Sequence, residues 1–270
     1  MEFLKTITKR RSLVSEIVYI GLNVGLAVIL LLVVRYTSSI APALVIVLLS
    51  KWRVFAVRTR FWLANIQDNA VCFIVSLSYV VFLFNANPST ADSSQNMASL
   101  VTQIALALLY IVWLVWLKPK SKRSYIVAQA GVALFVGITA IYMMSYSWIA
   151  LPVIFLVWLV GYVSARHVLG SYDESHIILL SLAFAFIISE IGWLAYHWTV
   201  AYQVPFSANI LIPQASIIML AYGFLAEKAY GSFYHNQKVR MNDVILPLLF
   251  AIGITAVLVL FRNGIDQSIF

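Results

Sequence analysis

The stretch SLAFAFIISEIGWLAYHW, residues 181–198, indicates the class of fold, because it is nearly long enough to cross a membrane and contains one carboxylate, Glu190. A helix needs about 20 mainly apolar residues to span roughly 30 Å of hydrocarbon. Of the 270 residues, 63% are hydrophobic and only 10% are charged. A water-soluble domain could not cover its surface with so few polar residues. We therefore predict an all-α, polytopic integral membrane protein.

Apolar runs of this kind recur along the chain and predict about nine transmembrane helices. The second run is doubtful as a full span, because its uninterrupted apolar part, Ile40–Leu49, covers only about half a bilayer before Lys51. Ser38 and Pro42 are typical of a tight turn followed by a helix start, so the first two runs are predicted to form a short hairpin. The predicted spans are 17–34, 40–57, 61–84, 98–117, 125–142, 148–165, 177–196, 210–226 and 244–261.

The basic residues predict the orientation of these spans, since lysine and arginine concentrate in cytoplasmic segments. With the N-terminus inside, only Arg35 and Arg262 of the 18 basic residues fall on the outer side. We therefore predict a cytoplasmic basic segment at 1–16, a single bundle at 17–261 and an outer tail at 262–270, in a bacterial-type cytoplasmic membrane. The net charge of +8 then implies contact with anionic headgroups at the inner face and no nucleic-acid binding.

Polar side chains at membrane depth are the main functional signal, because they are costly there and usually face the bundle interior or a hydrated cavity. At a rise of 1.5 Å per residue, Glu190 lies roughly 5 to 7 Å to the outer side of the midplane. Gln103 and Gln214 come out at a similar depth, and Trp193 and His197 share the helix face of Glu190. These five residues are our candidates for substrate binding or proton coupling. Alternatively, Glu190 is a neutral acid hydrogen-bonded to Gln103 or Gln214.

A second polar layer is predicted on the inner side. Its one acid, Asp68, is separated from Glu190 by something like 10 to 15 Å along the membrane normal. Paired catalytic carboxylates are about 5 to 10 Å apart, so these two acids are not expected to act on one bond. The inner layer consists of Asp68, Asn65, Asn69, Asn23 and Gln129.

Four basic residues, Lys51, Arg53, Arg58 and Arg60, are candidates for binding lipid phosphate at the inner face. The K-x6-R spacing of Lys51 and Arg58 resembles the first motif of membrane phosphatidic-acid-type phosphatases, in which the bases hold a phosphate. Thr59 stands where that motif continues with proline, and the two motifs that carry the acid–base and nucleophilic histidines are missing. Without those histidines the reaction cannot proceed, so we interpret the spacing as accidental.

The sequence predicts neither a metal site nor a cofactor. Residues 166–176, RHVLGSYDESH, contain two histidines and two acids, but their spacing matches no established ligand pattern. Capping of the following helix explains the acids equally well. Phosphate-binding loops, dinucleotide fingerprints and paired-cysteine motifs are all missing from the sequence. These observations argue against an enzyme without excluding one.

Three functions remain open. The first, which we favour, is a transporter or permease-like bundle for a small molecule or ion, with Glu190 as its protonatable group. The second is a membrane-embedded enzyme or accessory subunit that acts on lipid-linked substrates at the inner face. The third is a non-catalytic structural subunit of a membrane complex. The sequence identifies neither the substrate nor the oligomeric state.

Overall fold

The computed structural model describes residues 13–87, 93–145, 147–172, 174–197, 200–204 and 210–260. Most of the predicted N-terminal segment and the whole of the tail 262–270 lie outside these residues. The described chain is all-α apart from one short hairpin of strands. The helices are α1 Leu13–Thr37, α2 Ile40–Ser50, α3 Trp52–Phe55, α4 Trp62–Asn85, α5 Ser93–Val112, α6 Arg123–Met144, α7 Ala150–Leu169, α8 Ile177–His197, α9 Gln214–Asn236 and α10 Met241–Leu260.

Short elements complete these helices. Trp113–Leu117 continue α5 as a π-helical turn, and Gly170–Tyr172 continue α7 as a 3-10 turn. Between α8 and α9, strands β1 (Ala201–Gln203) and β2 (Leu211–Pro213) pair in antiparallel fashion, with Tyr202 opposite Ile212. The helix α9 therefore starts directly after a strand.

Seven helices of the described chain, namely α1, α4 to α8 and α10, are long and apolar enough to cross a membrane. This confirms the prediction of a helical protein with several spans. The predicted count of nine is not confirmed. At 11 residues, α2 extends only about 16 Å, roughly half the hydrocarbon thickness. At 23 residues, α9 is long enough to span, but Glu227 and Lys228 make it less apolar than the other seven.

The orientation in the membrane stays a prediction, so the two ends of the bundle are named here by their residues. The basic end is the one at which α5 ends and α6 begins, with Lys118 and Arg123. Arg123 donates a hydrogen bond to the Ser171 carbonyl at 3.4 Å, which places the end of α7 at the same level. The other end, which holds the β hairpin and the turn between α1 and α2, is the opposite end.

The first two helices form the predicted hairpin. Their turn is at Ser38, whose φ of 47° lies in the left-handed region that few residues other than glycine adopt. Its backbone N–H donates to the Val34 carbonyl at 3.0 Å and closes the last turn of α1. After Lys51, α3 and the 3-10 turn Thr59–Phe61 connect the hairpin to α4. The segment predicted as a second span, 40–57, therefore consists of two short helices, α2 and α3, and not of one continuous helix.

The bundle has two hydrophobic cores. The first is formed by α1, α2, α4 and α5 around side chains such as Leu83 and Leu114. The second is formed by α6 to α9 around Ile138 and Ile188. Ile74 of α4 packs against both cores, so α4 joins the two halves of the bundle.

Close contact between the central helices depends on two glycines. A Cβ atom at Gly137 would lie 2.8 Å from Cγ2 of Ile74, and one at Gly192 would lie 2.9 Å from Cγ1 of Val157. The Tyr142 hydroxyl donates to the Gly192 carbonyl at 2.7 Å, across the interface of α6 and α8. These helices approach one another too closely for any side chain at either position.

Candidate functional site

The structure places Glu190 on the outside of the bundle. Glu190, Trp193 and His197 lie on one exposed face of α8, and the rings of Trp193 and His197 meet edge to face at 5.1 Å. Within the described residues, no hydrogen bond or ion pair involves the Glu190 carboxyl. The expected hydrogen bond to Gln103 or Gln214 is therefore not formed. The carboxyl faces the surroundings of the protein, since the face opposite to it packs on α7.

Gln103 instead belongs to a polar network between α1, α4 and α5. Its side-chain oxygen accepts a hydrogen bond from Arg35 at 3.0 Å. Its side-chain nitrogen donates to the Leu83 carbonyl at 3.3 Å and to the Asn87 side chain at 3.4 Å. The side chain of Gln103 is fully buried. Arg35, one of the two basic residues that the sequence placed on the outer side, is therefore hydrogen-bonded to a buried side chain of the bundle.

Gln214 lies at a third, separate place. It is the first residue of α9, and its backbone N–H donates to the Val200 carbonyl at 2.7 Å, beside the β hairpin. Its buried side-chain nitrogen has no partner among the described residues. The predicted outer layer is thus three unconnected positions in the described chain and not one site.

Gln129 is the centre of the inner polar layer. Its side-chain nitrogen donates to the Leu117 carbonyl at 2.8 Å and to the Lys120 carbonyl at 2.9 Å, where α5 has already ended. Its side-chain oxygen lies 2.9 Å from Nε2 of His167 on α7. Gln129 therefore ties three helices together at the basic end.

The asparagines of the inner layer donate their hydrogen bonds elsewhere and not to Gln129. Asn23 and Asn69 donate to the carbonyls four residues before them, at 2.8 and 2.9 Å. Asn65 donates to the Val54 carbonyl at 2.7 Å and holds α3 against α4. Asp68 is exposed. The three asparagines satisfy backbone carbonyls, whereas Asp68 is close enough to His167, the partner of Gln129, to interact with it electrostatically.

The four basic candidates separate into one buried and three exposed side chains. Lys51 is 9% exposed and donates to the thiol of Cys72 at 2.9 Å. Arg53, Arg58 and Arg60 are exposed at the basic end. The arginines are placed where headgroups could reach them, whereas Lys51 points into the protein. Lys51 and Arg58 do not form the paired phosphate site that their spacing suggested.

A cavity of about 590 Å³ lies among α6, α7, α8 and α9 at the basic end. Its volume is within the range of roughly 300 to 1,000 Å³ that is usual for small-molecule sites. Its walls are formed mainly by aliphatic and aromatic side chains, including Leu134, Phe135, Leu180, Phe184 and Leu220. The site residues predicted from sequence do not include any that line this cavity.

Three cavity-lining side chains, Ser164, Glu227 and Tyr230, carry side-chain hydroxyl or carboxyl groups. The Ser164 hydroxyl is buried without a partner among the described residues. Glu227 accepts a hydrogen bond from the Tyr172 hydroxyl at 3.4 Å and forms an ion pair with Lys228 at 3.1 Å. Polar chemistry in the cavity is therefore confined to a few groups on α7 and α9.

Beside the cavity, a tyrosine cluster consists of Tyr172, Tyr230 and Tyr234. The ring of Tyr172 lies 5.0 Å from each of the other two, in edge-to-face contact. The Arg123 guanidinium lies 4.1 Å from the centre of the Tyr172 ring, a favourable cation–π distance. Tyr230 donates to the Glu174 carboxylate, and this bond, together with a backbone N–H, holds the pKa of Glu174 below its ordinary value. The bond to Glu174 thus involves Tyr230, one of the residues that line the cavity.

The sequence interpretation missed the cavity because it ended the eighth span at residue 226. In the structure α9 continues to Asn236, so Glu227 and Tyr230 lie on a helix wall and not in a loop. A usable signal was the set of small residues on α6, where Ala128 and Gly131 share one face and leave room beside them. Small residues at such spacing also occur in close helix packing, so they do not by themselves indicate a cavity.

No protein-family model, curated protein or solved structure matches the chain. Within the described ranges, no three His, Cys, Asp or Glu side chains are grouped so that they could hold a metal ion. The fold and its cavity define the class: a helical membrane protein with a mainly apolar cavity among α6 to α9.

Proposed function

We propose that the protein binds a membrane-borne amphiphile, a molecule with an apolar chain and a polar head, in the cavity among α6 to α9. The observation that carries this proposal is the composition of the cavity, which is apolar except for a few polar groups on α7 and α9. Such a protein would serve as a carrier or accessory subunit for lipid-linked molecules at the predicted inner face. The role of accessory subunit belongs to the second of the functions that the sequence left open, an enzyme or accessory subunit that acts on lipid-linked substrates.

The position of the cavity supports an amphiphile rather than a water-soluble ligand. Three of the four helices around it are apolar enough to span a membrane, which would place the cavity among membrane-spanning helices. An apolar chain gains little by leaving lipid for an equally apolar cavity, because lipid tails are as apolar as leucine. Selectivity must then come from the polar head and from shape complementarity.

Filling the cavity should weaken binding. A Cβ atom at Gly131 would contact only Cδ1 of Leu220, at 3.5 Å, so leucine at position 131 can extend into the cavity. We expect Gly131→Leu to lower crosslinking of a diazirine-bearing hexadecanol in nanodiscs by about tenfold, equivalent to ~1.4 kcal/mol. Mass spectrometry of the wild-type protein should place the crosslinks on α6 to α9.

Gly21→Leu is the matched control, since Gly21 also lies in an apolar helix and a Cβ there has nothing within 4 Å. It should crosslink like the wild type. Equal crosslinking of the Gly131 and Gly21 variants, or labels spread evenly over all helices, would contradict the proposal.

A transporter or permease-like function is the second candidate, and Glu190 supports it. A carboxyl within a span and without a partner among the described residues is costly, and such groups often carry protons. If this function is correct, Glu190→Gln should abolish proton flux into proteoliposomes, measured with an internal pH dye, while the protein stays folded. Glu16→Gln, at an exposed position near the start of α1, should leave the flux unchanged. Equal flux in both variants would reject proton coupling at Glu190.

A further inference from the structure

We infer that the polar head of the bound amphiphile is a hydrogen-bond donor, a hydroxyl or an amine, and not an ionised acid. This inference rests on the proposed function and concerns the chemistry of the same cavity. Glu227 on α9 supports the preference for a donor, and Ser164 on α7, whose hydroxyl can both donate and accept, supports only the presence of a polar head.

Glu227 disfavours an anionic head. Its carboxylate accepts hydrogen bonds and donates none, and its two oxygens offer about four acceptor positions. Oε1 accepts a hydrogen bond from the Tyr172 hydroxyl at 3.4 Å. Oε2 is buried and lies 3.1 Å from the Lys228 ammonium as an ion pair, but it has no hydrogen-bond partner among the described residues. Acceptor capacity therefore remains on both oxygens. A hydroxyl or ammonium donor can use it, whereas a second carboxylate or a phosphate would be repelled.

The neighbouring cations do not reverse this preference. Lys228 is 45% exposed, against 14% for Glu227, and it does not line the cavity. The Arg123 guanidinium is held over the Tyr172 ring and is likewise absent from the cavity wall. An anionic head inside the cavity would meet the carboxylate of Glu227 and no cationic side chain of the described wall.

A second polar group of the cavity wall, Ser164, lies away from the end of α7. Ser164 as a whole residue is 4% exposed and lines the cavity. Its hydroxyl oxygen is buried and has no partner among the described residues. Ser164 lies five residues before the end of α7 at Leu169, roughly 7 to 8 Å further into the bundle. A buried hydroxyl without a partner is unfavourable, and an O–H or N–H of the ligand would satisfy it.

Three photo-crosslinkable probes with the same 16-carbon chain test the inference: an alcohol, an amine and a carboxylic acid. In nanodiscs of zwitterionic lipid at about pH 9, where the acid is ionised, the alcohol and the amine should each crosslink about tenfold more than the acid, a ratio equivalent to ~1.4 kcal/mol. Glu227→Gln should raise the acid to the level of the alcohol. Glu16→Gln is the control, because Glu16 is an exposed carboxylate near the start of α1 that does not line the cavity.

The wild-type ranking alone can overturn the inference. If the acid crosslinks as well as the alcohol while Gly131→Leu still blocks both, the cavity binds amphiphiles and the inferred head chemistry is wrong. If no probe labels α6 to α9, the proposed function itself fails.

Should Glu227→Gln not fold, Ser164→Ala provides the second variant, and it should lower crosslinking of the alcohol severalfold while leaving a probe without a polar head unchanged. Equal loss for both probes would count against the inference.

Discussion

Replacing Gly137 with leucine should destabilise the bundle by about 3 kcal/mol or prevent it from folding, because the site has no room for a side chain. A Cβ atom there would lie 2.8 Å from Cγ2 of Ile74 and 3.1 Å from Cγ1 of Val160. Those atoms belong to α4 and α7, so leucine would separate α6 from two helices at once. The midpoint of thermal unfolding in detergent, followed by circular dichroism, measures the effect.

Gly253→Leu is the matched control for this substitution. Gly253 lies in α10, another apolar helix, and a Cβ atom at this position has nothing within 4 Å. Its unfolding midpoint should stay at the wild-type value or rise slightly, because leucine is a better helix former than glycine. Similar destabilisation of the two variants would mean that α4, α6 and α7 are not packed as described.

Replacing Gln129 with methionine should cost about 2 to 3 kcal/mol, because it removes several hydrogen bonds between helices without changing the volume much. The carbonyls of Leu117 and Lys120 would lose a donor, and His167 would lose the side-chain oxygen 2.9 Å from its Nε2. Carbonyls at a helix end need such partners when they are buried. The same unfolding measurement applies.

Two further variants separate the possible causes. Gln129→Glu keeps an oxygen for His167 but cannot donate to the carbonyls, so it should be about as unstable as the methionine variant. Asn23→Leu should have a small effect, because Asn23 donates only to the carbonyl four residues earlier in its own helix. A stable Gln129→Glu variant would show that the link to His167 matters and the helix-end carbonyls do not.

The sequence predicted the helical class and the approximate bounds of most helices. Seven predicted spans correspond to helices that are long and apolar enough to cross a membrane. These predictions depend on local composition, since the bilayer requires a run of apolar residues of a certain length and internally satisfied backbone groups. Two predicted spans were not confirmed. Lys51 and Arg53 interrupt the span 40–57, and the helix that contains 210–226 continues to Asn236 and includes Glu227 and Lys228.

Which way each polar side chain faces was decided only by tertiary structure. Position along a span predicts depth, and depth was the whole basis for grouping Glu190 with Gln103 and Gln214. In the structure Gln103 turns inward to Arg35, while Glu190 faces outward from α8.

The physical reason is that lipid and the bundle interior are both apolar. A span can be hydrophobic on every side, so its sequence shows no clear inner face, unlike that of a helix at a water interface. The rotation of each helix follows instead from close contacts, such as those at Gly137 and Gly192, which involve residues far apart in the chain. The cavity among α6 to α9 arises from those rotations. Composition along the chain thus accounts for the membrane-embedded helical class, and packing between helices accounts for the site.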